Sequence, residues 1–351
     1  MKIAHITFSL LNAGKENMLV DIAIEQQKLG HDVAIIILNN SIDKNVFSRI
    51  PKCIKIFKMN RNPNSLLGVL SFIKLFFIIN LLFRSDIIHS HSSYLGKILR
   101  TLLIKRKIFL TIHSPDFAIK PMKYYDSLFA ISNSMKTIIE SKSKYKCKVI
   151  YNGIYVNSVN VSNRIEKKNI YKIIMVKRLD HILKGQDLLI EAANLLINDY
   201  KIRNLKFYLV GEGKSREYLK SLIVKYALTE FIFLIGNKSR DWVYENLSEY
   251  DIFVHPSRTE GFGLTVIEAM AAKLPVIASN IEGPKEILQN GKYGFMFESE
   301  NINDLAKQIR NVVNLFNENK IQEVVEKNYI YCSKNFDVRI TAKNYCRSYL
   351  E

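Results

Sequence analysis

Cysteine is scarce in this chain of 351 residues. Cys53, Cys147, Cys332 and Cys346 are scattered with no close pair, which excludes a disulfide framework and a cysteine-rich zinc site. Glycine and proline number 14 and 7, far too few for a collagen-like chain. No stretch of 20–50 residues recurs, so solenoids and propellers are excluded as well. The N-terminal run MKIAHITFSL has no cleavage-like segment; it reads as a first strand, and a reduced cytoplasmic compartment is expected. Acidic residues are short in one half only. Residues 1–170 hold 26 basic and 10 acidic side chains, or +16, whereas residues 171–351 hold 25 and 23, or +2. Such a field suits a polyanionic partner for the first half, a membrane surface or a nucleic acid. Plain solubility of a Lys- and Asn-rich chain is the alternative.

What is present is a typical globular composition, 48% hydrophobic and 24% charged, which excludes wholesale disorder and a polytopic membrane protein. The length exceeds one ordinary core and suits two domains of about 100–200 residues. Strand-like runs at 3–8, 33–38, 54–57, 87–89, 108–113, 128–131 and 149–151 alternate with helical patterns at 16–29, 66–83, 94–104 and 134–141. Periodicity lapses over 155–169, the expected linker. A second series follows, with strands at 171–176, 206–210, 231–234, 252–255, 275–278 and 294–297. Its helices are at 186–197, 216–226, 241–249, 266–272 and 302–316. The pattern predicts an α/β fold of two doubly wound, Rossmann-like domains facing each other across a cleft. The expected bounds are 1–165 and 166–335, followed by a last helical segment over 336–351; that segment resembles one that, in a known family of this architecture, crosses back to the first domain.

The most informative segment is His255-Pro-Ser-Arg-Thr-Glu-Gly-Phe-Gly-Leu-Thr-Val-Ile-Glu-Ala-Met-Ala-Ala. A buried strand ends at His255, a glycine-bearing loop follows, and a helix begins near Leu264 or Thr265. Gly261 and Gly263 permit close backbone approach, and the free N–H groups of the first helical turn suit a phosphate. Glu260 precedes that turn and Glu268 lies about one turn inside it, beside core positions where a carboxylate needs a partner. A loop glutamate and a solvated helix glutamate are the plainer alternative.

This segment closely resembles the signature of retaining family-4 glycosyltransferases of the GT-B fold, and the resemblance runs from Lys2 to the last helix. It implies that Glu260 contacts the donor sugar, that Glu268 holds the nucleotide ribose, and that the backbone from Gly261 and Phe262 through Gly263, Leu264 and Thr265 cradles a diphosphate. Further residues follow from it. Arg178 and Lys184, in Met175-Val-Lys-Arg-Leu-Asp-His-Ile-Leu-Lys-Gly, resemble the Arg and Lys that steady the departing nucleoside diphosphate. Lys177 stands where the family usually has Gly, and the Arg–Lys spacing is one residue longer than the commoner one. Gly14, in Asn12-Ala-Gly-Lys-Glu, resembles the family's glycine loop facing the donor phosphates, with Ala13 replacing a second glycine. His113, at the end of a strand, resembles the family's histidine that meets the donor sugar. For these segments an ordinary turn, a solvated pair and a structural histidine are the alternatives.

Other segments are read more plainly. His89 and His91 look like a metal pair only superficially and are taken as cleft-lining or structural. Gly211-Glu-Gly213 suits a nucleotide-pocket turn or a plain tight turn equally. No Asp-x-Asp motif is present. The resemblance therefore implies a metal-independent hexosyltransferase with no cofactor and a nucleoside diphosphate sugar as co-substrate. The acceptor it implies is a glycan or lipid-linked glycan, of the kind built for bacterial lipopolysaccharide, capsule or exopolysaccharide. A non-hydrolysing sugar-nucleotide 2-epimerase on the same fold and a basic nucleic-acid-binding module remain as alternatives; the glutamates and the lack of basic-aromatic RNA-binding motifs speak against the latter.

One stretch bears on location. Over residues 66–83, 14 of 18 residues are apolar, near transmembrane length but interrupted by Lys74 and followed at once by a strand. Both flanks then stay on one side of any bilayer. The stretch reads either as a core helix or as an interfacial one on the inner face of the plasma membrane. Lys52, Lys55, Lys58 and Arg61 upstream and residues 105–107 downstream favour the interfacial reading.

Overall fold

The computed structural model describes residues 1–62, 69–102, 104–162 and 166–351. The chain forms two compact units, Met1–Ile154 with Val338–Glu351, and Tyr155–Asp337. The first is built on strands β1 (Lys2–Thr7), β2 (Asp32–Asn39), β3 (Lys55–Arg61), β4 (Ile87–Ser90), β5 (Lys107–Ile112), β6 (Ser127–Ala130) and β7 (Lys148–Val149). They pair in parallel in the order β3-β2-β1-β4-β5-β6-β7. The second holds β8 (Tyr171–Val176), β9 (Leu205–Val210), β10 (Ile232–Gly236), β11 (Ile252–His255), β12 (Val276–Ser279) and β13 (Phe295–Phe297). These too are parallel, in the order β10-β9-β8-β11-β12-β13.

Sheets of this kind carry helices on both faces, which is why their strands read as continuous apolar runs. Residues Val33–Ile37 are all buried, as are residues 252–255. Each order reverses once, between β1 and β4 and between β8 and β11. In doubly wound sheets ligands gather at the carboxyl ends of strands beside such a switch point. Gly14, His91, Lys177 and Glu260 all lie just beyond those four strand ends.

The units change over at 154/155 rather than at the expected 165/166. Hydrogen bonds explain the difference: Asn160 N–H donates to Tyr244 O (2.9 Å) and Ser162 N–H to Ala272 O (3.0 Å), tying this stretch to the second unit. Val338 N–H donates to Ile154 O at 2.9 Å where the chain returns. The helix Val338–Leu350 then packs on the first helix, Gly14–Lys28. A helix over Ile321–Asn335 was not expected, although Ile321, Val325, Asn328 and Cys332 recur at helical spacing and are its buried face. It packs on the helix Leu264–Ala271 and supports the site from behind.

The apolar stretch forms the helix Val69–Arg84; residues 66–68 of the expected range lie outside the described residues. Ile78 and Leu82 are buried, whereas Ile73, Phe76, Phe77 and Phe83 are exposed. Among the described residues no helix is long and apolar enough to cross a membrane.

Candidate functional site

In the second unit the chain turns from β11 into the helix Leu264–Ala271. Gly263 caps that helix with φ 114°, in the region that favours glycine, and offers no side chain to the first-turn N–H groups. Phe262 is buried and Glu268 is buried one turn in. The loop is held against the segment after β8. Gly185 lies so close to Pro256 that a Cβ would stand 1.9 Å from its carbonyl oxygen. Arg258 N–H and Thr259 N–H both donate to Leu183 O, at 3.0 and 3.2 Å. The Arg258 guanidinium grips Asp187 through two parallel bonds of 2.8 and 2.9 Å and reaches Glu300 at 2.7 Å. Sequence reasoning passed over Arg258, because its partners lie 71 and 42 residues away.

This clamp sets Glu260 among cations. Its carboxylate is 2.6 Å from Lys177 Nζ, 3.2 Å from Lys184 Nζ and 3.7 Å from His255 Nε2. Burial pushes the Glu260 carboxyl up, but Lys177 and then Lys184 outweigh it and hold it well below the usual carboxylate range. Burial lowers the Lys184 ammonium against the pull of Glu260, with Lys177 adding repulsion. His255 is fully buried, and burial followed by Lys177 holds it neutral. Two ammonium groups thus converge on one carboxylate. The sequence marked Lys177 only as a departure from glycine; its 2.6 Å contact gives it a place in the site.

Arg178 is arranged differently. Its side chain is 68% exposed and meets Asp180 at 3.5 Å, and its charge adds to the repulsion felt by Lys184. The buried Gln186 donates to the Arg178 carbonyl at 2.8 Å, so the backbone is fixed while the guanidinium is free to reach a ligand. Gly211 and Gly213 brace the same loop: Leu179 N–H donates to Glu212 O at 3.0 Å.

Gly14 and His113 lie in the first unit. Gly14 opens the helix Gly14–Lys28, whose N-cap, Ala13, supplies no side-chain hydrogen bond. His113 follows β5 directly and is half-buried. Its Nε2 is 3.1 Å from His91 Nδ1, and the two rings stack with centroids 5.3 Å apart. Burial, and then Lys15, lowers His113 to about 3, so its ring is neutral at ordinary pH. His5, His89 and His91 bring nitrogens within 4.8 Å of one another, a spacing that could admit an ion. Each of these rings is, however, already engaged through both nitrogens in hydrogen bonds to neighbouring side chains.

Two family models cover the chain in series: "Glycosyltransferase Family 4" over residues 13–158 and "Glycosyl transferases group 1" over residues 159–328. An uncharacterized glycosyltransferase of Methanocaldococcus jannaschii is 31% identical over 267 residues, covering 72% of this chain and 71% of that protein. The poly(ribitol-phosphate) alpha-N-acetylglucosaminyltransferase of Staphylococcus aureus is 31% identical over 213 residues, 54% of this chain and 41% of the other. An Anabaena protein solved in complex with UDP and glucose matches with a TM-score of 0.80 at 20% identity over 99% of each chain, a likeness of fold. With the fold, the glutamate-bearing loop and both family models in agreement, the chain belongs to glycosyltransferase family 4 and is a glycosyltransferase of the GT-B type.

Proposed function

We propose that this enzyme moves a sugar from a nucleoside diphosphate donor to a hydroxyl of a lipid-linked glycan, with retention of anomeric configuration, in the synthesis of a surface polysaccharide such as capsule or lipopolysaccharide. The observation that carries the reading is the Glu260 carboxylate, gripped by Lys177 and Lys184 beside a helix start that Gly263 leaves uncapped. As the bond from the anomeric carbon to the diphosphate oxygen breaks, the electron pair goes to the diphosphate. In this reading Lys184, Arg178 and the amides of Gly263–Thr265 take up that charge, each charge-assisted bond contributing about 1.5–3 kcal/mol. The acceptor oxygen then bonds to the anomeric carbon, and its proton passes to the departing diphosphate oxygen, so no separate protein base is needed. Glu260 serves the sugar, Glu268 the ribose, and His113 and Gly14 the sugar and phosphates. Side-chain cations and amides make turnover independent of a divalent ion. The Staphylococcus relative, named for poly(ribitol-phosphate), and the Anabaena protein, solved with UDP and glucose, support a nucleotide sugar as donor and a polymer as acceptor. Incubation with a panel of nucleotide sugars and glycan lipids, with and without EDTA, tests this reading. One donor is expected to give an α-linked product from an α-donor at the same rate in EDTA; an inverted product, or an epimerised donor without acceptor, would refute it.

A second observation concerns location. On the helix Val69–Arg84, Ile73, Phe76, Phe77 and Phe83 are exposed on one face with Asn80 and Arg84 in line. Residues 44–115 hold 13 basic side chains and a single acidic one, Asp86. Apolar insertion joined to anionic attraction, about 1 kcal/mol per cation near the surface, would hold the first unit reversibly at the inner membrane face. Co-sedimentation with anionic vesicles at low salt, lost with neutral vesicles or in Phe76→Ser, is the expected result. Equal, negligible binding to both vesicle types would leave the helix as an ordinary surface element.

A further inference from the structure

A row of hydrogen bonds runs across the carboxyl ends of three neighbouring strands in the first unit. His5 lies on β1, His91 directly after β4 and His113 directly after β5, and the sheet order makes β1, β4 and β5 neighbours. Ring centroids are 5.4 Å apart from His5 to His91 and 5.3 Å from His91 to His113, close to the spacing of about 4.8 Å between adjacent strands. The row starts at Gln26, fully buried in the first helix, whose Oε1 is 2.7 Å from His5 Nε2. His5 Nδ1 is 3.1 Å from His91 Nε2, and His91 Nδ1 is 3.1 Å from His113 Nε2.

A neutral imidazole has one donor nitrogen and one acceptor. Burial keeps all three rings neutral. Rings joined in series through both nitrogens must therefore all face the same way. One ring set against the others would bring two N–H groups, or two lone pairs, face to face, in a buried contact between His5 and His91 and a half-buried one between His91 and His113. Only two arrangements are consistent, and the Gln26 amide selects between them. With Oε1 toward His5, the order is His113 Nε2–H to His91 Nδ1, His91 Nε2–H to His5 Nδ1, and His5 Nε2–H to Gln26 Oε1. The other end of the same amide fixes a second branch. Gln26 Nε2–H donates to Tyr349 Oη (3.3 Å), Tyr349 O–H donates to His89 Nδ1 (2.7 Å), and His89 Nε2–H donates to Thr111 Oγ1 (2.7 Å).

We infer that Gln26 is a positioning residue that sets the tautomer of His113 from three hydrogen bonds away, leaving Nδ1 of His113 as an unprotonated acceptor for a hydroxyl. That the hydroxyl belongs to the donor sugar rests on the function proposed above; the direction of the row does not. An acceptor at this position prefers a ligand that can donate, so the site distinguishes a sugar hydroxyl from a group that only accepts.

The test is a long-range proton–nitrogen correlation spectrum of the full chain carrying 15N-labelled histidine. His5, His89, His91 and His113 are expected to show the Nε2–H pattern throughout. Gln26→Met removes the selecting amide, and the Nδ1–H form of His113 is expected to rise at least tenfold. Gln26→Glu keeps an acceptor facing His5 and restores the single form. An Nδ1–H pattern for His113 in the unaltered protein overturns the inference outright, even if no variant folds. So does a Gln26→Met protein whose His113 stays wholly Nε2–H. In turnover with the nucleotide sugar, Gln26→Met is expected to lose several-fold in kcat/KM, recovered by Gln26→Glu. A shifted tautomer with unchanged turnover would remove His113 from the sugar site while leaving the row of hydrogen bonds standing.

Discussion

The two units share an architecture and bury opposite kinds of polar chemistry at their switch points. The first carries 26 basic and 10 acidic side chains, yet at the ends of β1, β4 and β5 it gathers neutral rings linked by hydrogen bonds. The second is nearly balanced, with 25 and 23, and gathers a carboxylate and two ammonium groups in direct contact. Neutral rings give direction without net charge, which suits orienting hydroxyls. Ionised groups in a partly buried site give field, which suits a leaving group that gains charge. The long-range field of the first unit is carried instead by its surface.

The sharpest break in this comparison comes from the site of the second unit. Lys184→Ala and Glu268→Ala are each expected to lower turnover by about 10²–10³-fold or more, the scale of a lost charge-stabilising group, while the fold is kept. Circular dichroism and steady-state kinetics on the purified variants check this. Near-normal turnover in either would remove that residue from the site.

A smaller effect separates the units by pH. His5 is lowered to about 4 and His113 to about 3, with His89 and His91 well below their ordinary value, burial being the first cause in each. Below about 6.5 the unfolded chain takes up protons that these folded rings refuse. The stability they contribute is therefore complete above that pH and is lost as pH falls toward 4. Each such histidine changes stability by up to about 1.4 kcal/mol per pH unit. The second unit has one histidine of this kind, His255, and its Glu260 contribution persists until the pH falls below about 4.3. Hydrogen exchange at pH 7 and pH 5, corrected for intrinsic rates, should show protection in β1, β4 and β5 falling far more than in β8 and β11. An equal fall would refute the contrast.

The smallest expected effect is that of Lys177→Gly, which installs the residue usual in the family. Lys184 remains on Glu260, so a loss of about 1.5 kcal/mol in stability is expected, the low end of the range for a hydrogen bond to a charged group. The Glu260 carboxyl should move up toward its ordinary range, shifting the acid limb of the pH–rate profile to higher pH. A profile unchanged by Lys177→Gly would show that the contact does not tune Glu260.

The strands were legible because parallel, doubly covered strands leave continuous apolar runs, and every expected strand is present, with ends moved by up to four residues at β3. Glu260 and Glu268 were legible because a carboxylate beside a glycine loop or inside an apolar helix start is conspicuous. Lys177, Arg258 and Gln26 were not. Their partners lie 83, 71 and 21 residues away, and no local pattern announces a contact made by the fold. Arg178 and Lys184 looked like an equal pair in sequence, yet one side chain is turned outward to Asp180 and the other inward to Glu260. The helix Ile321–Asn335 had a readable apolar period, diluted by the Lys, Asn and Tyr residues around it.

The central claim, that the cations around Glu260 receive a nucleoside diphosphate, is tested most directly by thermal unfolding of the unaltered protein and Lys184→Ala with a series of nucleoside diphosphates. A ligand at about 100 times its Kd stabilises by about 2.7 kcal/mol. One diphosphate is therefore expected to raise the Tm of the unaltered protein by several degrees, with most of that shift gone in Lys184→Ala. Equal protection of both proteins, or no protection by any nucleoside diphosphate, would contradict the account.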